Sequence, residues 1–147
     1  MELIALPAFA DNYVWMLHDG QVALVVDPGD AAPVFEALQR HGLQLRSILV
    51  THHHADHVGG VAALREATGA RVFGPSRERI PEPLTRLAGG DRVPADAATL
   101  GLAFEVIDVP GHTAVHIDYR GAAVGDADGS PVLFFGDTLF SVGCGRL

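Results

Sequence analysis

The run Thr51-His52-His53-His54-Ala55-Asp56-His57, continuing into Val58-Gly59-Gly60, decides how the rest of the chain is read. Four of the protein's eight histidines fall here, beside a carboxylate, between the apolar stretch Ser47-Ile48-Leu49-Val50 and a helical pattern that starts at about Gly60. His52 and His54 are two apart, so in locally extended backbone they point the same way and His53 points away. Asp56 and His57 are adjacent where the chain turns into the helix, and they can aim at a neighbouring point. Neutral imidazole and carboxylate are ligands that zinc, iron and manganese accept, and close spacing keeps the entropy of closing such a site small. A solvated polar turn or the remnant of an affinity tag would have a similar composition. The internal position, the interrupting Ala55-Asp56 and the apolar strand in front argue against both.

Outward from this loop, Ser47 to Val50 reads as a buried strand, Val61 to Ala67 as a helix closed by Gly69, and Arg71 to Gly74 as a short strand. Upstream, Gln21 to Val26 is a continuous apolar run expected to be a buried strand, and it ends at Asp27-Pro28-Gly29-Asp30. A helix follows from Ala31 to about His41, with Asp30 as its cap, Pro33 in the first turn and Gly42 as its stop. Residues 2 to 6 and 13 to 17 are expected strands, and Asp19-Gly20 marks a tight hairpin. Downstream, residues 75 to 100 carry Arg77, Arg79, Arg86 and Arg92 among several prolines and read as a surface segment with at most short helical turns. Strands are expected at 102 to 109, 118 to 124 and 132 to 135, the last two joined by a hairpin-type turn at Asp126-Ala127-Asp128-Gly129.

One pattern links these elements. Asp27, the His52 to His57 group, His112 and Asp137 each closely follow an apolar strand and adjoin a Gly- or Pro-rich turn. In layered α/β proteins ligands collect outside the carboxyl ends of strands, so four strand ends are expected to converge on one site. His112, in Pro110-Gly111-His112-Thr113, supplies a further imidazole for a cluster that needs three or four donors. Asp137, in Gly136-Asp137-Thr138, has two carboxylate oxygens and can bridge two cations, the alternative being a turn residue. Asp27 reads either as a carboxylate that orients a ligating imidazole or as the first residue of an Asp-Pro-Gly turn.

Composition narrows the chemistry. A chain of 147 residues with 48% apolar content is expected to form one domain, residues 1–147, with a substantial core. The net charge of −8, with no basic cluster, excludes nucleic acid as the expected partner. All ten basic residues are arginine, so Schiff-base chemistry and a phosphate-binding P-loop lysine are both excluded. Cys144, the single cysteine, has no internal disulfide partner, and no GxSxG nucleophile motif occurs. Activated water is therefore the expected nucleophile. Met1 to Pro7 lacks the length and basic flank of a secretory signal, and no apolar run approaches the ~20 residues of a membrane span, so a cytoplasmic protein with no membrane partner is expected.

The same residues resemble a known family. Thr51-His52-His53-His54-Ala55-Asp56-His57 is similar to the THxHxDH signature of the metallo-β-lactamase-fold hydrolases, and Gly111-His112-Thr113 and Gly136-Asp137-Thr138 stand where that superfamily has its next ligands. Within it, the chain most resembles glyoxalase II, the hydroxyacylglutathione hydrolases. Pro7-Ala8-Phe9, Asp11-Asn12-Tyr13, Val26-Asp27-Pro28-Gly29-Asp30 and Phe135-Gly136-Asp137-Thr138-Leu139-Phe140, running on to Gly143-Cys144-Gly145-Arg146, carry that likeness.

The resemblance implies an α/β fold, a four-layer αββα sandwich of which this chain supplies the metal-binding part. It implies two zinc ions, with iron or manganese as alternatives: His52, His54 and His112 on one, Asp56 and His57 on the second, and Asp137 bridging. It places Arg146 against the glutathione part of a thioester substrate. The implied reaction is hydrolysis of S-D-lactoylglutathione to glutathione and D-lactate, a step of methylglyoxal detoxification, with Asp56, His57 and Asp137 closest to the chemistry. The family has Gly where this chain has Val115. Family members also continue past the position of Leu147 with another histidine for the second metal and a helical domain that grips glutathione, so this chain is expected to be C-terminally truncated, with a weak second site and impaired turnover. Two other expectations stand beside this one. The first is a persulfide dioxygenase-like enzyme with a single iron, and the second a metal-binding module without catalysis.

Overall fold

A computed structural model describes residues 2–8, 12–51, 60–75, 85–87, 92–93, 102–108, 117–123 and 132–134. The chain opens with β1 (Glu2–Ala8) and β2 (Asn12–His18), paired antiparallel from Glu2 opposite His18 to Ala8 opposite Asn12. The expected hairpin at Asp19-Gly20 then leads to β3 (Val22–Val26), antiparallel to β2. Its chemistry is local: the Asp19 carboxylate accepts the N–H groups of Gln21 and Val22 at 2.9 and 2.8 Å, and Gly20 takes the φ of +94° that a side chain would resist.

Helix α1 (Ala32–His41) follows, with Pro33 in its first turn. The Asp30 carboxylate accepts the Ala32 N–H at 3.1 Å from one position outside the N-cap residue, which is Ala31 and makes no side-chain cap bond. Gly42, at φ +65°, ends the helix as expected and lets the Leu43 N–H reach the Leu38 carbonyl at 2.9 Å. β4 (Gln44–Leu49) lies parallel to β3, and α2 (Val61–Thr68) connects it to β5 (Arg71–Pro75), which is parallel to β4. Two βαβ units therefore form the centre of the first sheet, whose strand order is β1-β2-β3-β4-β5-β6 with β6 (Thr85–Leu87) parallel to β5. The second sheet is antiparallel and ordered β10-β9-β8-β7, from β7 (Arg92–Val93), β8 (Leu102–Asp108), β9 (Ile117–Ala123) and β10 (Val132–Phe134).

Two expectations needed correction. The strand before the histidine loop begins at Gln44 rather than Ser47, because Gln44-Leu45-Arg46 already alternates exposed and buried positions ahead of the continuous apolar run. Residues 75 to 100 contain β6 and β7 where at most short helical turns were expected. Both are very short and each pairs with a longer neighbour, so tertiary pairing outweighs the local signal of arginines and prolines.

One core cluster takes Leu6, Val14, Met16, Ala23, Val25, Leu45, Ile48 and Val72 from the first sheet, Val50 from just past β4, and Val34, Ala37, Leu38, Val61 and Leu64 from the helices. Both helices thus cover the same sheet face. The residues alternating with these, Leu17, Leu24, Val26, Leu49 and Phe73, are also buried, and on that side Tyr119 of β9 reaches across from the second sheet. The layers among the described residues run helix, sheet, sheet. No helix among them is long and apolar enough to cross a membrane.

Candidate metal centre

The frame of the site consists of strand ends. β3 and β4 run parallel with Val26 opposite Leu49, so the chain leaves both strands at the same edge. In the second sheet, β8 and β10 both lie antiparallel to β9 and therefore run the same way. Tyr119 sits opposite Val106 near the end of β8 and opposite Phe134 at the end of β10. Its hydroxyl donates to the Val50 carbonyl at 2.8 Å, just beyond the end of β4, and lies 3.2 Å from the Phe73 carbonyl of β5. The carboxyl ends of β3, β4, β8 and β10 accordingly lie on the same side of the molecule. The candidate donors His52, His54, Asp56, His57, His112 and Asp137, and Arg146, lie outside the described residues. Among the described residues, no three His, Cys, Asp or Glu side chains gather in a metal-binding group.

Asp27 is described, and its surroundings are specific. It is 4% exposed, and it adopts a φ of +53°, the left-handed region that aspartate enters more readily than most residues. Its N–H donates to the Leu49 carbonyl at 2.9 Å, and its own carbonyl accepts the Gly29 N–H at 2.8 Å. The carboxylate turns to the residue that precedes His52. One oxygen accepts the Thr51 N–H and the other accepts the Thr51 hydroxyl, both at 2.8 Å. Asp27 is therefore a turn residue whose side chain also secures the entry to the histidine loop.

The exit of that loop is held by the same turn. The Gly60 N–H donates to the Pro28 carbonyl at 2.7 Å. A Cβ at position 60 would lie 2.7 Å from both that carbonyl oxygen and the Ala31 nitrogen, so only glycine lets the two segments approach this closely. Thr51 and Gly60, the described residues on either side of 52–59, are thus both held on one turn, residues 27–31. The sequence reading assigned Gly60 only the start of a helix. The Gly59-Gly60 pair behind His57 was the available signal of close approach.

Tyr119 was also missed, having been read only as one position in the strand expected at 118 to 124. Burial holds its phenol proton well above the ordinary range, the Asp27 charge adds to this, and the bond to the Val50 carbonyl acts in the opposite sense. The hydroxyl consequently remains a donor across the physiological range. A hollow of about 540 Å³, lined by Leu38, Leu43, Gln44, Leu45, Arg46, Thr68 and Gly69, lies around the start of β4, at the opposite end of that strand from the histidine loop.

Helices on one sheet face and a second sheet on the other define a layered α/β scaffold. The comparisons agree with that class. The chain belongs to the metallo-β-lactamase superfamily, whose family model matches residues 9–147. A protein of Albidiferax ferrireducens named hydroxyacylglutathione hydrolase is 69% identical over 147 residues, which is all of this chain and 55% of that protein. The BLEG-1 B3 metallo-β-lactamase superposes with a TM-score of 0.72 at 26% identity, over 92% of this chain and 72% of that one. BJP-1, a subclass B3 metallo-β-lactamase of Bradyrhizobium japonicum, gives 0.67 at 20% identity, over 89% of this chain and 56% of that one, and supports the fold alone. The chain spans about half the length of the curated relatives it matches.

Proposed function

We propose that this chain takes part in metal-dependent hydrolysis of glutathione thioesters, with S-D-lactoylglutathione as substrate and glutathione and D-lactate as products. The observation that carries the reading is the 69% identity, sustained over the whole chain, to a relative named hydroxyacylglutathione hydrolase. The donor set fits a metal: imidazoles and carboxylates are the ligands zinc accepts, and Thr51 and Gly60, which flank the run bearing most of them, are both held on the Asp27 to Ala31 turn. His52, His54 and His112 would hold one zinc ion and Asp56 and His57 a second, with Asp137 shared between them. When bound, such a pair lowers the pKa of a coordinated water and stabilises negative charge developing on a carbonyl oxygen.

The protein's own groups do the rest. Arg146 offers a guanidinium to a carboxylate of the glutathione moiety, a charge-assisted contact that orients the thioester. Asp27 acts through Thr51, holding the backbone from which His52 projects and so limiting the geometries open to the imidazoles. A glutathione thioester also makes the cytoplasm the expected compartment, since glutathione is the thiol pool there.

The test is a thioester assay on the purified chain. Zinc-loaded protein is expected to hydrolyse S-D-lactoylglutathione, and a chelator or His54→Ala is expected to remove the activity. Full zinc occupancy without turnover would instead make the chain a non-catalytic metal-binding module. Bound iron with oxygen uptake on a glutathione persulfide would make it a dioxygenase.

A further inference from the structure

The peptide that joins Val50 to Thr51 is gripped from both sides. Its carbonyl, on Val50, accepts from the Tyr119 hydroxyl at 2.8 Å, and its N–H, on Thr51, donates to the Asp27 carboxylate at 2.8 Å. The two grips come from different layers: Asp27 follows β3 of the first sheet, and Tyr119 stands on β9 of the second. A peptide unit is planar, so holding its oxygen and its N–H fixes the orientation of the whole plane. His52 is the next residue along the chain. The direction in which the backbone enters the histidine loop is therefore set by a tyrosine far away in sequence.

Hydrogen-bond accounting sharpens the assignment. A phenol has one proton to donate, and the Phe73 carbonyl already accepts the Val50 N–H at 2.8 Å. With Tyr119 donating to Val50, its nearer neighbour at 2.8 Å against 3.2 Å, both carbonyls receive a donor. A phenylalanine at 119 would fill the same space and leave the Val50 carbonyl without that donor.

We propose that Tyr119 is a positioning residue for the metal centre: its hydroxyl, opposed by Asp27, fixes the Val50–Thr51 peptide and through it the placement of the His52 and His54 imidazoles. This rests on the reading of residues 52–57 as metal ligands given above. It ties the second sheet to the loop at the end of β4, a coupling absent if Tyr119 serves only as core.

The experiment compares zinc affinity and the absorption spectrum of the cobalt-substituted protein for wild type, Tyr119→Phe and Val106→Ala. Val106 lies directly opposite Tyr119 and is equally buried, so its truncation disturbs the same row without touching the hydroxyl. Removing a partner that orients a metal ligand typically costs 10–100-fold in metal affinity. Tyr119 acts one step further out, so Tyr119→Phe is expected to weaken zinc binding about tenfold and to alter the cobalt spectrum, which reports ligand geometry. Val106→Ala should lower thermal stability while leaving both metal readouts near wild type. Equal zinc affinity and an unchanged cobalt spectrum in Tyr119→Phe would overturn the proposal, as would Val106→Ala shifting both readouts to the same extent. Should Tyr119→Phe not fold, the wild-type ring carbon bearing the hydroxyl decides the matter: its resonance is expected to shift on zinc loading, and no shift overturns the proposal. A wild type that binds no zinc would refute the metal-centre reading itself, and this proposal with it.

Discussion

Two aspartates, Asp19 and Asp27, stand at opposite ends of β3 and perform the same kind of bonding with different consequences. Asp19, exposed, accepts two N–H groups from Gln21 and Val22, residues two and three positions away. Asp27, buried, accepts an N–H and a hydroxyl from Thr51, twenty-four positions away. The first shapes a hairpin that water could also solvate. The second joins two neighbouring strand ends and secures the start of the loop on which the proposed chemistry depends. What separates them is the environment of the acceptor and the separation in sequence of the groups it binds, since the carboxylate is the same.

The largest expected effect follows from removing the buried member. Asp27→Ala leaves the Thr51 N–H and hydroxyl without these acceptors in a buried site and places an alanine in left-handed backbone, so thermal or chemical denaturation is expected to show a loss of about 3–5 kcal/mol. Asp27→Asn keeps one acceptor oxygen and tolerates that backbone, so it should recover part of the loss. If both variants unfold like wild type, the pairing with Thr51 contributes nothing and the contrast with Asp19 collapses.

Gly60→Ala sharpens the same contrast from the other end of the loop. Gly60 is the N-cap of α2, a position where glycine is preferred to alanine. The new methyl would meet backbone of residues 28–31 at 2.7 Å, and this fixed backbone has no side chain to move aside. Capping and overpacking act in the same direction, with an expected loss of about 1–3 kcal/mol in denaturation. A stabilised Gly60→Ala protein would show that the turn and the loop exit are not held together as described.

The smallest effect is expected at Asp19. Its carboxyl pKa lies below the ordinary 3.8, chiefly because the Val22 and then the Gln21 N–H groups favour the charged form. A depressed folded-state pKa stabilises the fold above the ordinary value, and that contribution fades as pH falls through the folded value. Asp19→Ala is expected to cost less than about 1 kcal/mol at neutral pH, given the exposure of the group. The gap from wild type should narrow below pH ~4 as the carboxylate protonates. A gap that widened in acid would reverse the assigned direction.

Much of this architecture was legible in the sequence because it rests on local signals. The apolar runs gave the main strands, Gly42 and Gly69 marked helix ends where left-handed backbone is required, and Asp19-Gly20 marked the hairpin. Asp27 was legible as a residue of interest at a strand end. Its partner was not, because nothing in a sequence states that Thr51 lies beside it until β3 and β4 are aligned in parallel. Tyr119 was hidden for a related reason: in a strand of the second sheet it looks like core, and only the stacking of the two sheets gives its hydroxyl a carbonyl to meet. β6 and β7 left no clear trace because such short strands exist through their neighbours. The family likeness, by contrast, lay in the His52 to His57 run itself and was readable from the start.

The most direct test of the buried-against-exposed account is zinc affinity, measured by competition with a chromophoric chelator, in Asp27→Asn and Asp19→Ala compared with wild type. Asp27→Asn is expected to weaken zinc binding at least tenfold, the scale of losing a group that orients metal ligands, and Asp19→Ala to bind as wild type. Equal zinc affinity in all three proteins would contradict it.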